Sequence, residues 1–340
     1  MPYHHLRSMT MSSHGASGRR ALAWLPLLLS LCLSLMLWLQ SAQASATQAG
    51  KDASSPVKVV ATFSILADMV EQVGGDLVQV HSLVGRDSDA HVFQPTPRDT
   101  RELAQADLVV INGLGFEGWI ERLIKASGFK GPMVVASKDV RVIEASQNAP
   151  KDRHGHAHGK HDHAHGPADP HAWQSLHNAK VYVSNIRDAL IAIRPQHKDQ
   201  ITSNAAQYVA QLDALDQRLR SAFESIPKTK RKAIISHDAF NYLAREYDIE
   251  FLPVRGWSTG REASASDVAN LIRQVREGKV QAFFIENMSD GRVLERIAQE
   301  TGAKSGGTLY SDALSAPGTQ ADTYLKLYET NAQRLIDALQ

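Results

Sequence analysis

Residues 57–75 read VKVVATFSILADMVEQVGG. The first seven are nearly all apolar and rich in β-branched side chains, the composition of a strand buried on both faces. Ile65, Leu66, Met69, Val70 and Val73 then recur at the 3.6-residue period of a helix, and Gly74-Gly75 supplies a stop. A short apolar strand running straight into an amphipathic helix is the first half of a βαβ unit, whose next strand is expected to lie parallel to the first.

The pattern continues outward from this unit. Residues 77–84 (LVQVHSLV) read as a strand, 100–106 as a helix, 107–112 (DLVVIN) as a strand, 116–127 as a helix and 132–137 as a fourth strand. It then breaks: 178–193 and 196–226 are helical in period, with leucines at 212, 215 and 219, and neither offers strand signals. Alternation resumes with a strand at 232–236 (KAIIS), a helix at 240–247, strand 250–254, helix 266–277, strand 280–286 (VQAFFIE), helix 291–301, strand 307–310 and a final helix from 321. The expected fold is α/β: two lobes with parallel-sheet cores, joined by long helix. The segments are a signal peptide at 1–44, a first lobe at 45–177, a helical connector at 178–230 and a second lobe at 231–340.

The N-terminus indicates export. Arg19 and Arg20 precede an apolar run over 21–39 whose leucines include those at 27, 28, 29, 31, 33, 35, 37 and 39, and Ala42-Gln43-Ala44 matches a cleavage site. An uncleaved anchor is the alternative, because nineteen residues approach the roughly 20 needed to span a bilayer. Cys32 is the only cysteine, and Leu31 before it is too large for a lipoprotein site, so the mature chain is expected to hold no disulfide. Cleavage after Ala44 removes three arginines and no acid, leaving 34 bases against 36 acids. So neutral a chain argues against a nucleic-acid partner.

Residues 154–165, HGHAHGKHDHAH, hold six of the fifteen histidines: His154, His156, His158, His161, His163 and His165. The segment has no apolar period and its Gly and Ala spacers cannot build a core, so it reads as a metal-capture loop; an idle polar loop is the alternative.

In open parallel sheets, ligands bind beyond the carboxyl ends of the strands. Polar residues just after strands are therefore the candidates, and with the DPHAW segment they give His91, His171, His237 and Asp312. Successive members lie 80, 66 and 75 residues apart, so no local zinc signature is present, and each alone could be a turn, strand-end or helix-cap residue. Together, three imidazoles and one carboxylate suit a tetrahedral zinc ion.

The motifs HVFQPTPRD (91–99), the histidine loop, DPHAWQSLHNAKVYV (169–183), ISHDAFNYLAREY (235–247), FFIENMSDGRVLERIA (283–298) and LYSDALS (309–315) occur in this order. The combination resembles the TroA-like zinc and manganese solute-binding proteins of bacterial ABC importers, over essentially all of the chain from Val57 onward. The resemblance implies a metal site in the cleft between two lobes, a backbone helix within 196–226, and ligands at His91, His171, His237 and Asp312. It implies a periplasmic carrier that hands its metal to an ABC permease driven by an ATPase, with a metallochaperone as a further possible partner and a monomer as the expected state. HAWQS and HVFQPTP look most like the Azt-type zinc subgroup. Manganese members typically carry glutamate at the third ligand position; His237 favours Zn2+. Some zinc members have an acidic residue before the first histidine, where this chain has Ala90, and Asp89 is one position too early to stand in for it.

A closed four-ligand shell leaves no position for an activated water, so the chain is not expected to be an enzyme. A secreted zinc hydrolase is the rival reading, but no HExxH pair is present. A manganese-binding member of the family and an adhesin that uses its metal structurally are further alternatives. Glu286, Asn287 and Asp238 are candidates for orienting the ligands from behind.

Overall fold

In a computed structural model of the 340-residue chain, residues 55–144, 168–260, 263–280 and 282–340 are described. The signal-peptide reading at 1–44 and the histidines of 154–165 fall outside these residues. Pro56 to Gln340 forms one compact unit.

Four parallel strands make the first sheet: β1 (Val57–Phe63), β2 (Val78–Val84), β3 (Leu108–Ile111) and β4 (Met133–Val135), in the order β2-β1-β3-β4. Between them run α1 (Ser64–Gly74), α2 (Pro97–Ala104) and α3 (Ile120–Ser127). β1 and β3 are buried almost along their whole length, which is why they read as unbroken apolar runs. Gly75 ends α1 with a φ of 55°, a conformation that costs glycine little.

The second sheet repeats the topology with β5 (Lys232–His237), β6 (Glu250–Arg255), β7 (Ala282–Glu286) and β8 (Lys304–Leu309), ordered β6-β5-β7-β8 and again all parallel. Its helices are α6 (Asn241–Tyr247), α7 (Ala265–Gly278) and α8 (Arg292–Thr301). In each sheet the chain moves to one edge and then crosses back, so a switch point lies between β1 and β3 and another between β5 and β7.

Two helices join the sheets, α4 (Leu176–Ile193) and α5 (Lys198–Glu224); a last helix, α9 (Tyr324–Leu339), closes the chain. The 27 residues of α5 span about 40 Å at the standard rise. Its buried face, Ile201, Ala205, Tyr208, Leu212, Leu215, Leu219 and Phe223, steps by three or four residues and packs against α1, α4, α6 and α9. Near its start, Asn204 donates to the Val73 carbonyl at the end of α1; near its end, Phe223 stacks on Tyr247 of α6. One helix thus braces both lobes, as the resemblance implied.

Several boundaries differ from the sequence reading. The helix expected over 116–127 starts only at Ile120, because the buried carboxylate of Glu117 accepts hydrogen bonds from Asn112 N, Gly113 N and the Thr62 hydroxyl, and the chain wraps around it. The last helix begins at Tyr324 rather than at 321, where Thr323 caps it and the Asp68 carboxylate takes the Tyr324 N–H at 2.9 Å. Among the described residues no helix is long and apolar enough to cross a membrane.

Candidate metal centre

His91 follows β2 in a turn set by Asp89, whose Oδ1 accepts the His91 N–H at 2.9 Å. The Ala90 carbonyl accepts the Trp119 indole N–H, and Phe116 packs edge-on against the His91 ring with centroids 4.7 Å apart. His171 repeats this arrangement: Asp169 Oδ1 accepts its N–H at 3.0 Å. A 3-10 turn at Ala172–Gln174 then leads to Ser175, whose hydroxyl caps α4 by accepting from Asn178 N. His237 is the last residue of β5, at the switch point. Asp312 lies three residues beyond β8 in a segment with no regular structure.

These four positions converge. One ligand atom from each, an imidazole nitrogen of the three histidines and a carboxylate oxygen, lies within 4.8 Å of all the others. His91 Nε2 is 3.2 Å from His171 Nε2 and 3.2 Å from Asp312 Oδ2; His237 Nε2 is 3.3 Å from Asp312 Oδ2, and His171 Nε2 is 3.8 Å from Asp312 Oδ1. Four ligands at about 2.0 Å from a tetrahedral zinc ion sit roughly 3.3 Å from one another, so most of these spacings match such a shell.

The polar atoms fit a cation as well as the spacings do. His171, His237 and Asp312 are fully buried, yet neither Asp312 oxygen nor His237 Nε2 has a hydrogen-bond partner among the described residues. Buried polar atoms left without partners are costly, and a cation among them would satisfy all three at once.

Behind the candidate ligands stands a second ring of acceptors. Asp169 Oδ1 is 2.8 Å from His171 Nδ1, while its Oδ2 takes the Asn241 amide and its carbonyl the Tyr242 hydroxyl. Glu286, the last residue of β7, accepts the His237 N–H through Oε1 and places Oε2 2.5 Å from His237 Nδ1, off the ideal hydrogen-bond direction; Ser311 donates to that same Oε2. Asp169 so fixes the His171 imidazole with Nε2 toward the site, and Glu286 stands against the Nδ1 edge of His237.

Electrostatics follow from this layout. Burial opposes a charge on His237, but Glu286 and Asp312 outweigh it and raise the imidazole well above its ordinary value. Burial would likewise raise the Asp312 carboxyl, yet His237 and His171 hold it well below the usual carboxylate range.

Of the three orienting candidates read from sequence, the structure places only Glu286 against a candidate ligand. Asn287 turns to the first lobe, donating to Asp87 at 2.7 Å, and Asp238 pairs with Asn241. Asp169 was missed. Its signal was present as the repeated spacing D-x-H at Asp89-Ala90-His91 and Asp169-Pro170-His171.

The family model described as ZnuA, zinc-uptake complex component A periplasmic, matches residues 59–338. The iron-binding protein YfeA of Yersinia pestis is 32% identical over 81% of this chain and 84% of its own length. The manganese ABC transporter substrate-binding lipoprotein PsaA of Streptococcus pneumoniae is 29% identical over 85% of this chain and 91% of its own. The solved periplasmic zinc binding protein TroA from Treponema pallidum superposes with a TM-score of 0.74 at 27% identity, covering 84% of this chain and 99% of that one. The chain belongs to the ZnuA and TroA-like family of substrate-binding proteins of metal ABC transporters, and it is not an enzyme.

Proposed function

We propose that this chain captures Zn2+ in the periplasm, after export by a cleaved signal peptide at 1–44, and delivers it to the permease and ATPase of an ABC importer. The observation that carries this reading is the convergence of His91, His171, His237 and Asp312 on one buried point, with no hydrogen-bond partner among the described residues for either Asp312 oxygen. Three nitrogens and one oxygen make a borderline donor set that favours zinc over the harder manganese. Four protein ligands close a tetrahedral shell, so the ion is held as cargo rather than exposed to an attacking water. One carboxylate leaves zinc a formal +1, which Asp169 and Glu286 offset from behind. The motifs HVFQPTP and HAWQS support placement in the Azt-type subgroup, with the histidines of 154–165 feeding the site and a metallochaperone as a donor. A monomer, with lobes at 45–177 and 231–340 and a connector at 178–230, belongs to the same reading.

Manganese is the second reading, favoured by the relative named for that metal. Titration of the mature, tag-free protein with zinc and manganese against a chelator separates the two. Asp312→Ala tests the site itself: the variant should fold and lose zinc affinity by at least about 100-fold, since it removes the only anionic ligand. Zinc binding unchanged in that variant would sink the assignment.

A further inference from the structure

Asp89 and Asp169 occupy equivalent places two residues before a candidate ligand, and each accepts that histidine's backbone N–H through Oδ1. They differ in what else they hold. Asp169 turns back onto the ring of its own histidine, whereas Asp89 Oδ2 accepts a hydrogen bond of 2.5 Å from the hydroxyl of Thr259. Thr259 belongs to the other lobe, four residues after β6, and is buried there. Its carbonyl is held by Arg255 Nη1, and Arg255 Nη2 reaches the Ser289 hydroxyl, so the Thr259 loop is anchored to its own sheet. The same loop lies against the residue after His91: a Cβ on Gly260 would meet Val92 Cγ1 at 3.6 Å.

The other three ligand positions are tied down from behind. His171 rests on Asp169, His237 ends a central strand and rests on Glu286, and the Ser311 carbonyl preceding Asp312 accepts from both Trp173 and Gln174. His91 alone of the four retains any side-chain exposure, 5% against 0% for the rest. The residual exposure among the four is therefore at His91, whose turn carries the Asp89–Thr259 link between the lobes.

Building on the metal-carrier reading, we propose that the hydrogen bond between Asp89 and Thr259 is the latch that holds His91 in the site, making both positioning residues that set the rate of metal release. Asp89 is not a fifth ligand: its Oδ1 and Oδ2 are engaged by His91 N and Thr259, and it stands outside the four-atom cluster. The test uses the full mature chain loaded with Co(II) as a spectroscopic probe and with zinc for rates. Thr259→Val should release zinc to excess chelator about tenfold faster, the effect of losing one hydrogen bond to a charged acceptor. Thr259→Ser should restore the wild-type rate, and the Co(II) absorption should be the same in wild type, Thr259→Val and Asp89→Asn. Should Thr259→Val fail to fold, Thr259→Ala carries the same expectation. A wild-type release rate in the Val or Ala variant, or a Co(II) spectrum altered by Asp89→Asn as by loss of a ligand, overturns the latch. Failure of the carrier reading would look different: the wild type would not hold one tightly bound Co(II) per chain beyond what the histidines of 154–165 take up.

Discussion

The indole N–H of Trp173 donates to the carbonyl of Ser311 at 2.9 Å, which locks the residue two positions after His171 to the residue just before Asp312. The Gln174 side chain doubles the link at 2.7 Å, and the hydroxyls of Tyr324 and Tyr328 return it by donating to the carbonyls of Trp173 and Gln174. Two candidate ligands from distant parts of the chain therefore move as one rigid piece, so part of the binding geometry is set before any metal arrives.

Trp173→Phe keeps most of the buried aromatic volume and removes the indole donor. The metal-free variant should lose about 1–2 kcal/mol of stability, and zinc affinity should fall roughly tenfold because the pair must now be ordered on binding. Chemical denaturation with and without zinc, together with chelator competition, measures both. Wild-type affinity in a destabilised variant would show that the brace serves the fold alone.

Metal preference is expected to follow the third nitrogen. His237→Glu exchanges a borderline ligand for a hard one and should lower zinc affinity while improving manganese relative to zinc by about tenfold or more. Competition titrations with the two ions give the ratio. If the ratio does not move, His237 is not bound to the metal.

Deleting 154–165 removes six imidazoles from a segment outside the cluster of His91, His171, His237 and Asp312. Total zinc bound at saturation should drop, and one tightly held ion should remain. Counting bound zinc after gel filtration decides; disappearance of the tight ion would place the site in the loop.

Acid should weaken binding through His237. Its folded pKa is raised above the ordinary value near about 6.5, so in the metal-free protein the imidazole keeps its proton to a higher pH than in the unfolded chain. That contributes stability to the metal-free protein which is full below the unfolded value and lost as pH rises through the folded one. Zinc needs the neutral ring and displaces the proton. The rise in melting temperature on adding zinc should therefore widen from about pH 6 to pH 8, and calorimetry in buffers of different ionisation enthalpy should record proton release. A zinc-induced shift independent of pH would contradict a protonated His237 in the metal-free state.

The sequence alone determined the α/β class, the two parallel sheets and the long α5, because an unbroken apolar run such as 57–63 and a 3.6-residue stripe such as Ile201 to Phe223 are local statements about which faces avoid water. It also selected His91, His237 and Asp312, because the carboxyl ends of parallel strands are where such folds present ligands, and His171 from the DPHAW segment. What it could not contain was distance. That Nε2 atoms 80 residues apart stand 3.2 Å from each other, that Asp169 rather than Asp238 or Asn287 backs a candidate ligand, and that Asp89 reaches across to Thr259 are results of the packing of two lobes on α5. The D-x-H spacing was equally visible at both sites, yet one aspartate faces its own histidine and the other faces the opposite lobe. Local sequence fixes the turn that places each carboxylate, whereas the partner of its free oxygen depends on whichever surface the tertiary fold brings opposite.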